Sequence, residues 1–243
     1  MWSTVPSFRP APSLVRMAAV LLLALSVAGC QTAAKQVETI KRPGGNARIV
    51  LMPLDVELAE LSASGMQEPK ADWTEAGRAH LAAAFQAEQS DLGLQIAGFD
   101  EAAMKPEVVD TLHQLQKLHA KVGHAILMHH FFEPLKLPSK RGKFDWSLGP
   151  SARALREATG ADYALFVWVR DSYSSGGRVA LMVAAALLGV SVQGGSQIGF
   201  ASLVDLENGD IVWFNRLLRG MGDLRTAEPA RETAKVLLTE FPK

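Results

Sequence analysis

The chain is poor in the groups from which most reactive sites are built. Of its 243 residues only Cys30 is a cysteine, which excludes an intrachain disulfide and any multi-thiol metal site. Neither sign of charge dominates, because 25 Lys and Arg stand against 25 Asp and Glu. A nucleic-acid-binding protein would show a basic excess or stripe, and this chain has none. The same balance leaves electrostatic adhesion to an anionic membrane without support. Apolar runs are short: residues 17–27 and 179–192 hold 11 and 14 residues, below the roughly 20 needed to span a bilayer as a helix. Internal repeats and low-complexity segments are absent as well.

Catalytic signatures are missing in the same way. There is no H-E-x-x-H, no G-x-S-x-G, and no Gly-rich phosphate loop ending in Lys-Ser/Thr. The histidines are His80, His113, His119, His124, His129 and His130. Metal pairs on one helix face need i, i+3 or i, i+4 spacing, and His113, His119, His124 and His129 do not keep it. The sequence therefore assigns no catalytic residue, metal or cofactor. Arg170 and Asp171 end a strand where α/β ligands often sit, but an ion pair or loop cap accounts for them. Of Trp73, Trp146, Trp168 and Trp213, only Trp146 falls in an expected loop, which makes it a candidate partner anchor.

What is present begins at the amino terminus. Arg9 and Arg16 flank the apolar stretch 17–27, which ends in Val27-Ala28-Gly29-Cys30. A basic flank, a short apolar core and a small-residue site describe a secretory signal peptide, expected over 1–29. The lone cysteine directly after those small residues resembles the lipobox of bacterial lipoproteins. That resemblance implies a diacylglycerol thioether and amino-terminal acylation (palmitate or a related chain) at Cys30. Cleavage leaves 23 basic and 25 acidic residues, so attachment to the membrane falls to the lipid. Two or more acyl chains anchor stably, whereas one does not. Gln31 stands where an Asp commonly retains such proteins at the inner membrane. In a Gram-negative host this implies the outer membrane, with the protein facing the periplasm. Residues 30–46, ending in Pro43-Gly44-Gly45-Asn46, read as the lipidated tether, and 47–243 as the folded domain.

Within that domain Arg48–Val56 reads as a strand limited by Pro53, and the acidic stretch 57–70 as a loop. Asp72-Trp73-Thr74-Glu75 looks like a capping box opening a helix to about Ser90. Leu94–Phe99 is a second strand. Pro106 opens a long helix with a possible break at Gly123. Residues 131–148 read as loop, 151–159 as a short helix ended by Gly160, and 161–170 as the clearest strand. Strands at 198–206 and 211–217 flank the turn Glu207-Asn208-Gly209-Asp210, and 228–241 closes the chain as a helix. The expected class is α/β: a mixed sheet of about five strands with helices packed on it, in the order β-α-β-α-α-β-β-β-α.

Three phrases in this order resemble a group of periplasmic domains. They are Ile49-Val50-Leu51-Met52-Pro53-Leu54, Gly160-Ala161-Asp162-Tyr163-Ala164-Leu165, and Leu203-Val204-Asp205-Leu206 with Asn208-Gly209-Asp210 and Ile211-Val212-Trp213. The group comprises the curli-secretion lipoprotein family, the amino-terminal domain of the Tol-Pal propeller protein, and lipoprotein activators of penicillin-binding proteins. The resemblance covers about residues 47–241 and implies a fold and a compartment; none of the phrases is catalytic. It implies a non-enzymatic outer-membrane lipoprotein that binds other envelope proteins, or itself. An oligomeric secretion or export component is one alternative, and a small-ligand-binding or hydrolytic lipoprotein is another.

The departure from that group is Val179–Val192, an apolar insertion between the strands expected at 161–170 and 198–206. Three readings are open for it. It is a buried cover for the sheet, an exposed element for self-association or membrane contact, or a spanning strand. Its candidate contact residues are Leu181, Met182, Leu187 and Leu188, alongside Trp146.

Overall fold

The computed structural model describes residues 34–35, 47–92, 96–220 and 222–242. The expected signal peptide, Cys30 and most of the tether lie outside them. The described chain forms one mixed sheet of eight strands with helices on both faces. The sheet is therefore larger than the five strands expected.

The strands are β1 (Ala34–Lys35), β2 (Ile49–Leu51), β3 (Asp55–Leu61), β4 (Gln67–Pro69), β5 (Ile96–Gly98), β6 (Tyr163–Ser174), β7 (Gln197–Asp205) and β8 (Ile211–Arg219). The helices are α1 (Ala71–Leu92), α2 (Pro106–Ile126), α3 (Arg153–Thr159), α4 (Gly176–Leu187) and α5 (Ala227–Leu237). Strand order is β1-β8-β7-β6-β2-β5, with β3 also on β6 and β4 on β3.

Strand β6 organises the sheet. Its first residues pair in parallel with β2, and Trp168–Ser174 pair in parallel with β3. Strands β2 and β3 are thus one line interrupted at Pro53, whose missing N–H cannot serve a ladder. The acidic stretch read as a loop is largely strand β3 and strand β4. Val56, Leu58, Ala59 and Leu61 are buried, while Asp55, Glu57 and Glu60 are at least partly exposed; the alternation of a strand with one wet face holds over Asp55–Leu58. Its outward charges are paired: Asp55 with Arg170 at 2.8 Å and Glu60 with Lys70 at 2.9 Å.

Alternation along β6 divides the core in two. Tyr163, Leu165, Val167 and Val169 join Leu81 and Phe85 of α1 and Ala230, Ala234 and Leu237 of α5. Ala164, Phe166 and Trp168 join Leu112, Leu115 and Ile126 of α2 and Leu155 of α3 on the opposite face. Both faces are thereby occupied.

One helix start and one expected break differ from the sequence reading. Helix α1 begins at Ala71, so Asp72 sits in the first turn, where its charge suits the positive end of the dipole. Thr74 Oγ1 instead accepts from the Leu58 N–H at 2.9 Å, stitching the helix to β3. Helix α2 starts at Pro106 and runs unbroken through Gly123, ending in a π turn at Leu127–Phe131. Gly123 is where α2 rides directly on the Phe200 ring. Helix α3 closes on Gly160 at φ 69°, and the β7–β8 turn on Gly209 at φ 83°, both left-handed positions that favour glycine.

Candidate functional site

Strand β6 runs four residues beyond its expected end at Arg170, and helix α4 follows at the end of the sheet. Ser175 caps it, its Oγ accepting from the Arg178 N–H at 3.1 Å. At the far end Leu188 N–H and Val190 N–H both donate to Ala185 O at 2.9 Å, and Gly189 N–H donates to Ala186 O at 3.0 Å. Gly189 turns the chain at φ 72°.

The base of the helix is clamped. The Arg178 guanidinium donates to Gln193 O at 2.7 and 3.0 Å and to Ala63 O at 3.4 Å. Ser174 Oγ accepts from Gly195 N–H at 3.1 Å, and Ser172 Oγ accepts from Ser196 N–H at 3.0 Å. Gly195 passes so close to Ser172 that a Cβ there would overlap the carbonyl oxygen.

The body of the helix is bare. None of its residues is buried. Val183 is 59 % exposed, Leu187 84 % and Leu188 82 %. Of the four contact residues expected here, Leu181, Leu187 and Leu188 are exposed, whereas Met182 is half-buried against Gly194 and Ser174. The insertion is therefore a helix standing off the sheet, and the buried-cover reading is corrected. The reason is geometric: α1 and α5 cover one face and α2 and α3 the other, leaving no face for a further cover. Leu187→Asp and Leu188→Asp are expected to leave unfolding free energy within about 0.5 kcal/mol of wild type. Denaturant titration checks this, because a buried leucine would cost several times more.

Trp146 is less available than its loop position suggested. It is half-buried against the α2-side core, with Lys140 Nζ 4.3 Å from the ring centroid. Trp168 and Trp213 are core residues, and Trp73 packs on the other core cluster.

Two further places hold polar groups. Beneath the base of α4, Asp171 is buried. Its Oδ2 accepts from Tyr173 O–H at 2.6 Å, Gln197 Nε2 at 2.7 Å and Leu224 N–H at 3.3 Å. Burial pushes this carboxyl above the ordinary aspartate range, and those hydrogen bonds oppose the shift. Gln197 continues to Arg219, which also donates to Thr233. Arg170 turns away to Asp55. The pair read from sequence as one ion pair or cap is therefore two devices: Arg170 in an ion pair, and Asp171 fastening the loop at Leu224.

At the other end of β2 lies an open cleft of about 600 Å³. Its polar lining comprises Arg48, Gln89, Asp100 and Thr159; the last three hold backbone, while the Arg48 guanidinium is exposed, 3.9 Å from Asp162. Asp162 accepts from Arg48 N–H, Gln89 accepts from Ile96 N–H, Asp100 accepts from Ala102 N–H, and Thr159 donates to Leu155 O.

His119 and His124 both edge the Phe200 ring, and His113, His129 and His130 have partners of their own. His119 meets Ser202 at 2.9 Å, His124 donates to Ala120 O, His129 donates to Leu135 O, and His113 lies 3.6 Å from Glu101. His130 rests on Phe131 and Phe144. Among the described residues no three His, Cys, Asp or Glu side chains converge as a metal site. Nor is any described helix long and apolar enough to cross a membrane.

No protein-family model matches the chain, and no curated protein does. Solved structures similar to it include the PelC dodecamer from Paraburkholderia phytofirmans. That likeness has 11 % identity over 87 % of this chain and 96 % of the other, with a TM-score of 0.38. Lipoprotein GNA1162 from Neisseria meningitidis is 15 % identical over 71 % and 81 % of the two chains, at 0.29. The LpoB C-terminal domain from Salmonella enterica is 12 % identical over 72 % and 84 %, at 0.24. Likenesses this distant carry no functional argument.

Proposed function

We propose that this protein is a non-enzymatic, lipid-anchored component of the outer membrane. Its periplasmic α/β domain works by associating with other envelope proteins or with further copies of itself. The observation that carries this reading is α4, an element apolar all round that the domain leaves uncovered. A helix of that composition belongs in a core, an interface or a membrane. Gln89, Asp100 and Thr159 in the cleft and Asp171 Oδ2 beside Leu224 are taken up in fastening the chain, which supports a binding role over a catalytic one.

Light scattering on the mature chain carrying Cys30→Ser, with and without mild detergent, tests the reading. A defined oligomer, or aggregation relieved by detergent, is expected. A clean monomer that detergent leaves unchanged at every concentration removes self-association and leaves a separate envelope protein as the partner. The anchor has its own test. Cys30→Ser in the full precursor is expected to abolish incorporation of labelled fatty acid, since the lone thiol is the only thioether site. Undiminished labelling refutes the assignment of Cys30.

A further inference from the structure

The surroundings of α4 specify one occupant. From Val179 to Val204 there is no Asp, Glu, Lys or Arg. Val179, Leu181, Val183, Leu187 and Leu188 are exposed, and at 100° per residue they spread over more than half of the helix circumference. A partner helix or protein groove covers one flank of such a rod, whereas hydrocarbon chains surround it. Exposure is greatest at the tip, at Leu187 and Leu188.

The backbone suits the same environment. Hydrocarbon tolerates only internally satisfied peptide groups, and the tip of this helix turns the Leu188, Gly189 and Val190 N–H groups back onto its own carbonyls. Ser175 caps its start, and the Ala185 and Ala186 carbonyls take the turn N–H groups at its tip. Ser191 is the one polar side chain between Val179 and Val192, and the one charged residue of the helix lies at its base, where Arg178 holds Gln193 O and Ala63 O. Beside them Met66 projects from the β3–β4 turn, 65 % exposed. The 12 residues of α4 rise about 18 Å, short of the roughly 30 Å hydrocarbon thickness.

Chain reach brings the two points of attachment together. Three residues separate Cys30 from Ala34, which is paired with Phe214 on β8. An acylated Cys30 thus holds that edge of the sheet within about 15 Å of lipid. A second, weaker apolar contact then acts at high effective concentration.

We propose that α4 is a bilayer-inserting finger, its Leu187–Val190 tip entering the hydrocarbon of the membrane that holds Cys30 without crossing it. This rests on the lipid-anchored reading above and names the first surface that α4 meets. With Arg178 its only charged residue, insertion is driven by apolar area and draws nothing from anionic headgroups.

The mature chain carrying Cys30→Ser has no thiol, so Leu187→Cys or Glu157→Cys adds a single site for an environment-sensitive fluorophore. With phosphatidylcholine vesicles the label at 187 is expected to shift to the blue, while the label at 157, at the opposite end of the sheet, does not. Adding phosphatidylglycerol or raising salt is expected to change neither signal. Leu187→Asp and Leu188→Asp are each expected to lower the vesicle partition constant roughly tenfold or more. No shift at 187 overturns the proposal. So does binding that requires anionic lipid. A shift that grows with protein concentration in the absence of vesicles also overturns it, and assigns the face to a second copy. A defined oligomer by light scattering without a vesicle shift removes the finger and leaves the association reading standing.

Discussion

Gly123→Ala is expected to destabilise the domain by about 3 kcal/mol, at the upper end of overpacking costs. For a chain of this size that lowers the unfolding midpoint by about 6–12 °C. Helix propensity alone predicts the opposite sign, because alanine in a helix interior is favoured over glycine by about 1 kcal/mol. The contact decides between them. A Cβ on Gly123 would overlap Cε2 and Cζ of Phe200 and lie 2.8 Å from Cδ2. The ring has nowhere to go. It stacks between Trp168 at 5.0 Å and Phe214 at 5.4 Å, and the edges of His119 and His124 close the other sides at 5.2 and 5.6 Å. Chemical denaturation of the single variant and of Gly123→Ala with Phe200→Leu checks the argument. The second substitution makes room, so the pair should cost less than the sum of the two singles. A stabilised Gly123→Ala would mean that α2 does not ride on Phe200.

The same residue shows what the sequence could and could not convey. A glycine within a helical pattern reads as a break, since propensity is a local property. Its reason lies with Phe200, far along the chain on β7, with its ring facing α2. By contrast, α2 itself, the strand through Tyr163–Arg170 and the Asn208-Gly209 hairpin were legible because local signals and tertiary demand agree there. Strand β3 was hidden by its charges. Glu57 and Glu60 suggested a loop, yet Val56 and Leu58 alternate with Asp55 and Glu57, and Ala59 and Leu61 are buried beyond them. For α4, no pattern in the sequence could separate core from surface. A helix apolar on every side has no preferred face, and its exposure follows from other helices having covered both sides of the sheet first. Asp171 was visible as a strand-end carboxylate, but its partner at Leu224 N–H is a backbone group that composition does not reveal.

Acid is expected to unfold this domain through His119. The side chain is buried on the α2 side, Nε2 at 2.9 Å from Ser202 Oγ, with Phe166 and Phe200 each 5.2 Å from its ring. Burial, with a smaller repulsion from His124, pushes its pKa down to about 3. The group is therefore neutral in the folded state and titrates near 6.5 when the chain unfolds. Its contribution is fully present above pH 6.5 and falls by about 1.36 kcal/mol per unit as pH drops from there toward 3. At pH 4.5 the loss is about 2.7 kcal/mol, a large part of the 5–15 kcal/mol that holds an ordinary domain together. His130, whose pKa burial and Lys136 also lower, adds in the same direction. His119→Leu with Ser202→Ala replaces both polar partners by apolar groups, which is close to neutral when shapes match. The double variant is expected within about 1 kcal/mol of wild type at pH 7.5, yet more stable than wild type at pH 4.5 by about 2 kcal/mol. Denaturant titrations at both pH values measure the difference. Parallel losses in the two proteins would show that His119 does not carry the acid sensitivity. His119→Leu alone provides the control, since it strands the Ser202 hydroxyl and should be destabilised equally at both pH values.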